Sequence, residues 1–218
     1  MELIETDMAG RSPRPLRVRL VPLLLAFGLL VLAPPVDAAA QDPAVVAERL
    51  NGTLHETMMA AKELGYRGRF EKLEPVLREV FDFPFMTRAA VGRSWSELDP
   101  AEQDQLIELF SNMSIATFAA RFDGYGGETF ETLGERDGPR GTILVETELV
   151  RPDDKPVGLN YLLRASDDDW RIIDVFLDSK FSELARQRAE FSAVLKDRGY
   201  DGLVAKLEDK IERLAKEG

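Results

Sequence analysis

The spacing of apolar residues changes twice along the chain. It runs at three to four over residues 42–122, alternates over residues 128–178, and returns to three to four after Ser182. Helices, a sheet and more helices are therefore expected in that order. The alternating stretch divides into runs at 128–133, 142–150, 157–163 and 170–177, each rich in β-branched, aromatic or leucine side chains. The links between them are Asp137-Gly138-Pro139, residues 152–156 and residues 166–169. All carry turn chemistry and none can hold a crossover helix, so neighbouring strands must run antiparallel. The expected fold is α+β: a four-stranded antiparallel meander packed against a helical layer, with an apolar cavity between them.

Alternation assigns the faces. Ile143, Val145 and Leu149 share one side of the second strand, opposite Thr142, Glu146 and Glu148. Val157, Leu159, Tyr161 and Leu163 make the third strand strongly apolar on one face. The fourth strand is apolar on both, with Trp170, Ile172 and Phe176 alternating with Ile173, Val175 and Leu177, as in a central or doubly covered strand.

The helical parts carry their own punctuation. Asp42-Pro43 reads as a cap with Pro in the first turn, and Leu50, Leu54, Met58, Ala61 and Leu64 follow at helical spacing up to Gly65. Pro75 predicts a break near Leu73. Asp82-Phe83-Pro84 opens a short helix that is apolar nearly all round and stops at Gly92; such a helix must be covered on several sides or line a cavity. Asp99-Pro100-Ala101-Glu102 is a capping box that starts a long helix to about Phe122, expected to lie across the apolar face of the sheet. After the last strand a helix runs from Glu183, Gly199 ends it, and Leu203, Leu207, Ile211 and Leu214 mark another.

Composition narrows the chemistry. The chain has 218 residues, 44% of them hydrophobic, no cysteine and a net charge of −11. Disulfides and thiolate sites are excluded, and the acidity argues against a nucleic-acid partner. Arg11, Arg14, Arg17 and Arg19 precede an apolar run over residues 20–32 and a small-residue stretch ending at Ala40. That is the pattern of a secretory signal peptide cleaved near Ala40, with Met1 or Met8 as start. Residues 41–218 then form one exported domain.

No nucleophile elbow, phosphate loop, zinc motif or calcium loop occurs, so no catalytic residue, metal ligand or cofactor is assigned. The sole histidine, His55, lacks an identifiable catalytic partner and is read as structural or surface. Asp174 lies within an apolar strand and has three readings: a structural buried acid, a general base in an isomerase-like pocket, or an edge-exposed side chain. A third kind of function, an adaptor binding proteins through its acidic surface, needs no pocket. What the chain has in abundance is aromatic and methionine side chains, which as a set suggest a cleft for a lipid.

Several segments resemble the MlaC-like periplasmic lipid carriers, the toluene-tolerance auxiliary proteins of ABC transporters. They are Phe81-Asp82-Phe83 through Val91-Gly92 to Trp95, the long helix with Phe110, the strand from Trp170 to Asp174-Val175, and Ser182 through Arg188 and Phe191. The stretch from Leu177-Asp178 to Glu190-Phe191 is similar to the hopanoid-associated HpnM branch. The resemblance implies a soluble carrier, not an enzyme, that exchanges a phospholipid or hopanoid with an inner-membrane transporter complex and an outer-membrane lipoprotein. At about 0.8 kcal/mol per methylene, a two-tailed lipid with on the order of 30 methylenes faces more than about 20 kcal/mol on crossing water unaided. The lipid-binding positions are then expected at Phe83, Met86, Val91, Trp95, Phe110, Met113, Phe118, Phe122, Val145, Leu159, Tyr161 and Phe176.

Overall fold

A computed structural model describes residues 42–166, 169–178 and 180–218. The expected leader and its cleavage point at Ala40 lie outside the described residues. Within them the order is α1 (Pro43–Met59), α2 (Ala61–Val80), α3 (Phe83–Val91), α4 (Pro100–Arg121), β1 (Thr129–Asp137), β2 (Ile143–Arg151), β3 (Asp154–Ser166), β4 (Asp169–Leu177), β5 (Phe181–Ser182) and α5 (Glu183–Glu217). Short 3-10 turns occupy Gly92–Glu97 and Pro139–Gly141.

The sheet is an antiparallel meander in the order β1-β2-β3-β4-β5, with five strands where the sequence led to four. The extra strand is two residues long. Asp178 adopts a left-handed φ of 49°, which Asp tolerates, and the Lys180 N–H donates to the Leu177 carbonyl at 3.1 Å. This tight turn brings Phe181 and Ser182 back alongside Leu177 and Phe176 before α5 begins. Register also explains why β4 looked apolar on both sides. Leu162 pairs with Asp174 but Leu163 pairs with Ile172, so a bulge at Ile173 lets Ile172, Val175 and Leu177 share the face of Leu163, Tyr161 and Leu159. Asp174 and Phe176 fall on the other face.

The helix caps form as the residues dictate. Asp42 accepts from the Ala44 N–H at 3.0 Å, and the Asp99 box closes in both directions at 2.9 Å. Asp82 accepts from the Phe85 N–H at 3.0 Å and from Arg164 at 2.6 Å, while its own N–H donates to the Ile172 carbonyl at 2.9 Å. One aspartate thus ties the start of α3 to β3 and β4.

Two expectations about the helices are corrected. Pro75 does not break α2: it is exposed, as is Glu71 one turn earlier, so the carbonyl it leaves without an intrahelical partner faces water. The distortion lies instead at Gly65, with φ 58° and ψ −178°. The long helix α4 is not packed directly across the sheet. It packs on α2, α3 and α5, and helix-to-sheet contacts are made chiefly by α1, α2, α3 and α5.

Gly199 reverses the chain. At φ 65° and ψ −163° it divides α5 into two arms. In a straight helix Glu190 and Lys206 would stand about 24 Å apart, yet their side chains form an ion pair at 2.8 Å. The arms therefore fold back on each other, burying Phe191, Val194, Leu203 and Leu207. Arg69, 3% exposed, joins three helices by donating to the carbonyls of Ala61 (3.2 Å), Ala119 (2.8 Å) and Gly218 (2.9 Å).

Candidate functional site

Because α4 stands off from the sheet, a cavity of about 740 Å³ lies between them. That is within the roughly 300–1,000 Å³ usual for small-molecule sites. Its walls come from the sheet, from α1, α3 and α4, from the turn after α4, and from α5. The sheet supplies Leu149, Val157, Leu159, Val175 and Leu177, which the strand register puts on one face. The segment entering α3 and α3 itself supply Phe81, Phe83 and Met86, and α1 supplies Met58. From α4 come Ser114, Thr117, Phe118 and Arg121, spaced so that all lie on one side of the helix.

The two α4 hydroxyls do not make the wall polar. Ser114 donates to the Phe110 carbonyl at 2.8 Å and Thr117 to the Met113 carbonyl at 2.7 Å, so both are satisfied within the helix. Small side chains at these two positions leave open the volume that larger ones would fill. The aromatic part is continuous: Phe81 stacks on Phe83 at 5.5 Å, meets Phe118 at 5.8 Å, and Phe118 stacks on Phe122 at 5.8 Å.

Burial distinguishes an interior from an opening. Phe81, Phe83, Met86, Leu159 and Val175 are buried, whereas Arg121, Asp123 and Tyr125 are exposed. The polar lining also includes Glu128, Glu183, Arg186, Gln187 and Lys210. Glu128 accepts from the Gly126 N–H in the glycine-containing turn after α4, and that bond holds its carboxyl below the usual range. Tyr125 meets the edge of His55 at 5.4 Å.

Of the twelve expected lipid-binding positions, Phe83, Met86, Phe118, Phe122 and Leu159 line this cavity. The other seven lie elsewhere. Phe110 packs between Phe83 and Phe191, at 6.3 and 6.1 Å, and Met113, Val91 and Val145 are buried core residues. Tyr161 is fully buried and donates its hydroxyl to Asn51 of α1 at 2.7 Å. Trp95 is in the 3-10 turn, where its carbonyl accepts from Gln103 at 3.0 Å. Phe176 faces away from the cavity, paired with Asn160 and Ser182. Sequence reasoning missed Met58, Phe81, Val175 and Leu177 as lining residues. The signal for the last two was present: both alternate with Phe176.

Asp174 is not part of the cavity. It accepts from the N–H of Val175 at 2.8 Å, the N–H of Leu184 at 3.0 Å and the hydroxyl of Ser182. Burial pushes its carboxyl up, against the pull of these bonds. It acts as an anchor for the start of α5, the structural reading of the three. Among the described residues no group of His, Asp and Glu side chains is arranged to hold a metal, and no helix is long and apolar enough to cross a membrane.

Comparison with known proteins agrees with this architecture. A solved structure of a phospholipid-binding protein from Ralstonia solanacearum, in complex with a phospholipid, superposes with a TM-score of 0.71. It is 22% identical and covers 80% of this chain and 99% of its own, a likeness that shows a shared fold. No curated protein matches. The model of the MlaC protein family matches residues 48–209, most of the described part, and the chain belongs to that family.

Proposed function

We propose that this protein is a periplasmic lipid carrier, whose cavity between α4 and the sheet takes the acyl chains of a phospholipid. The observation that carries the reading is a cavity of about 740 Å³, buried and apolar inside, polar at its opening, in a chain of the MlaC family. That a neighbour of the same fold is in complex with a phospholipid supports the choice of ligand. The exported form is residues 41–218, a single domain released from its leader near Ala40. It exchanges lipid with an inner-membrane transporter complex and an outer-membrane lipoprotein, and the protein itself does no chemistry on the cargo.

Native mass spectrometry of protein purified from its host tests this directly. The expected result is a bound species with the mass of a phospholipid. Protein that is repeatedly recovered empty, and takes up no lipid from vesicles, would overturn the reading. A second ligand class enters through the resemblance of the stretch from Leu177 to Phe191 to the HpnM branch. A hopanoid differs from a phospholipid in mass and lacks phosphorus, so the same experiment separates the two.

A further inference from the structure

One end of the cavity is closed by aromatic rings. Phe110 of α4 lies edge-on between Phe83 of α3, at 6.3 Å, and Phe191 of α5, at 6.1 Å, and all three are buried. The lining begins one helical turn beyond this cluster, with Ser114 after Phe110 on α4 and Gln187 before Phe191 on α5. At the other end it runs past the last turn of α4 to Tyr125, which is exposed. The cavity is therefore a blind slot along α4, with Phe83 at its floor and Arg121 at its mouth.

Helix geometry gives the length of the slot. From Phe110 to Arg121 the helix rises about 16 Å. The hydrocarbon core of a bilayer is about 30 Å thick, so the acyl chain of one leaflet reaches about 15 Å. The two lengths agree. A chain whose head-group end stays at the mouth puts its last methylenes beside Phe83 and Ser114. The Ser114 hydroxyl is spent on the Phe110 carbonyl at 2.8 Å, so what this residue contributes to the slot is space. One turn further in, α4 carries the fully buried Phe110 and no space remains.

We infer that the closed end is a length gauge for acyl chains, in which Ser114 leaves room for the last methylenes and Phe83 stops them. A chain longer than the slot keeps its surplus methylenes in water, and the carrier selects against it. This rests on the carrier reading above, and adds to it a selection among lipids that share one head group.

The test presents the purified protein with vesicles of dioleoyl phosphatidylglycerol that carry equal small amounts of the dilauroyl and dipalmitoyl forms, and reads bound lipid at equilibrium by native mass spectrometry. Ser114→Leu is expected to raise the bound dilauroyl-to-dipalmitoyl ratio over wild type by roughly four- to fifteenfold, the effect of returning one or two methylenes to water. Phe83→Leu, which deepens the slot, is expected to move the ratio the other way. Asp104→Leu, at an exposed position of the same helix, is expected to leave it unchanged. Thermal melting establishes the fold of each variant; if Ser114→Leu melts early, Ser114→Val is read in its place. A ratio unchanged in the Ser114 variant, or both lipids lost from it alike, overturns the inference while wild-type uptake keeps the carrier reading. A Phe83→Leu shift in the same direction as Ser114→Leu overturns it equally. Wild type that takes up none of the three lipids overturns both.

Discussion

The inner face of the sheet is apolar along its length, yet its two ends are in opposite states. At one end Tyr161, Leu163 and Ile172 are completely buried, and α1 lies over the sheet with Asn51 holding the Tyr161 hydroxyl. At the other end Leu149, Val157 and Leu177, side chains of the same kind, border open space under α4. The difference comes from the covering helix. Where α1 packs against the sheet, Leu50 and Leu54 are fully buried; where α4 faces it, Ser114 and Thr117 bond back to their own helix and leave the gap unfilled. A hydrophobic surface becomes core or cavity according to what is set above it.

The widest contrast is available on α4 itself. Phe110 is fully buried between α3 and α5, and Phe110→Ala is expected to cost about 3–5 kcal/mol by urea unfolding, the usual range for a buried phenylalanine. Phe118 is two turns along, half-buried and bordering the cavity, so Phe118→Ala is expected to cost under about 2 kcal/mol because part of the space is already open. Lipid retention should follow the opposite order, falling most in the Phe118 variant. Equal stability losses would erase the distinction between packed and open regions.

A smaller effect concerns what holds the rim together. Gly199 sits in a region of backbone space essentially confined to glycine, with nothing within 4 Å of the position a Cβ would take. Gly199→Ala is therefore expected to lose about 1–3 kcal/mol by backbone strain alone, without a clash. Thermal melting reads that loss. Relaxation by straightening α5 would separate Arg186 from Lys210 and reduce lipid uptake with it.

The smallest effect is electrostatic and belongs to the packed region. The Asp174 carboxyl is raised by burial, so its contribution to stability is present when it is protonated, below the unfolded value, and is lost as pH rises through the folded value. Measured against Asp174→Asn, wild type should gain relative stability as pH falls from 7 toward 4. A difference that stays constant or moves the other way would mean that the bonds from Ser182 and Leu184 outweigh burial. Lipid uptake should not change with this variant, since the side chain lies on the far face of the sheet.

The parts read well from sequence are those governed by neighbours along the chain. The caps at Asp42, Asp82 and Asp99, the stop at Gly92 and the antiparallel order of the strands follow from local hydrogen bonding and from links too short for a crossover. The site was half legible. Phe83, Met86, Phe118, Phe122 and Leu159 carry the greasy character that pointed to a cavity, but choosing Phe176 by its ring rather than by its strand face led away from Val175 and Leu177.

By itself the sequence determined that helices precede and follow a meander, where the helices capped by Asp42, Asp82 and Asp99 begin, and that apolar side chains outnumber catalytic ones. Only the tertiary structure decided that α4 stands clear of the sheet, that a bulge at Ile173 turns both halves of β4 inward, and that Arg121, Arg186 and Lys210 meet at one opening. The physical reason is range. Caps and periodicity act within a few residues, whereas a cavity and its rim depend on the separation of surfaces whose residues are tens of positions apart.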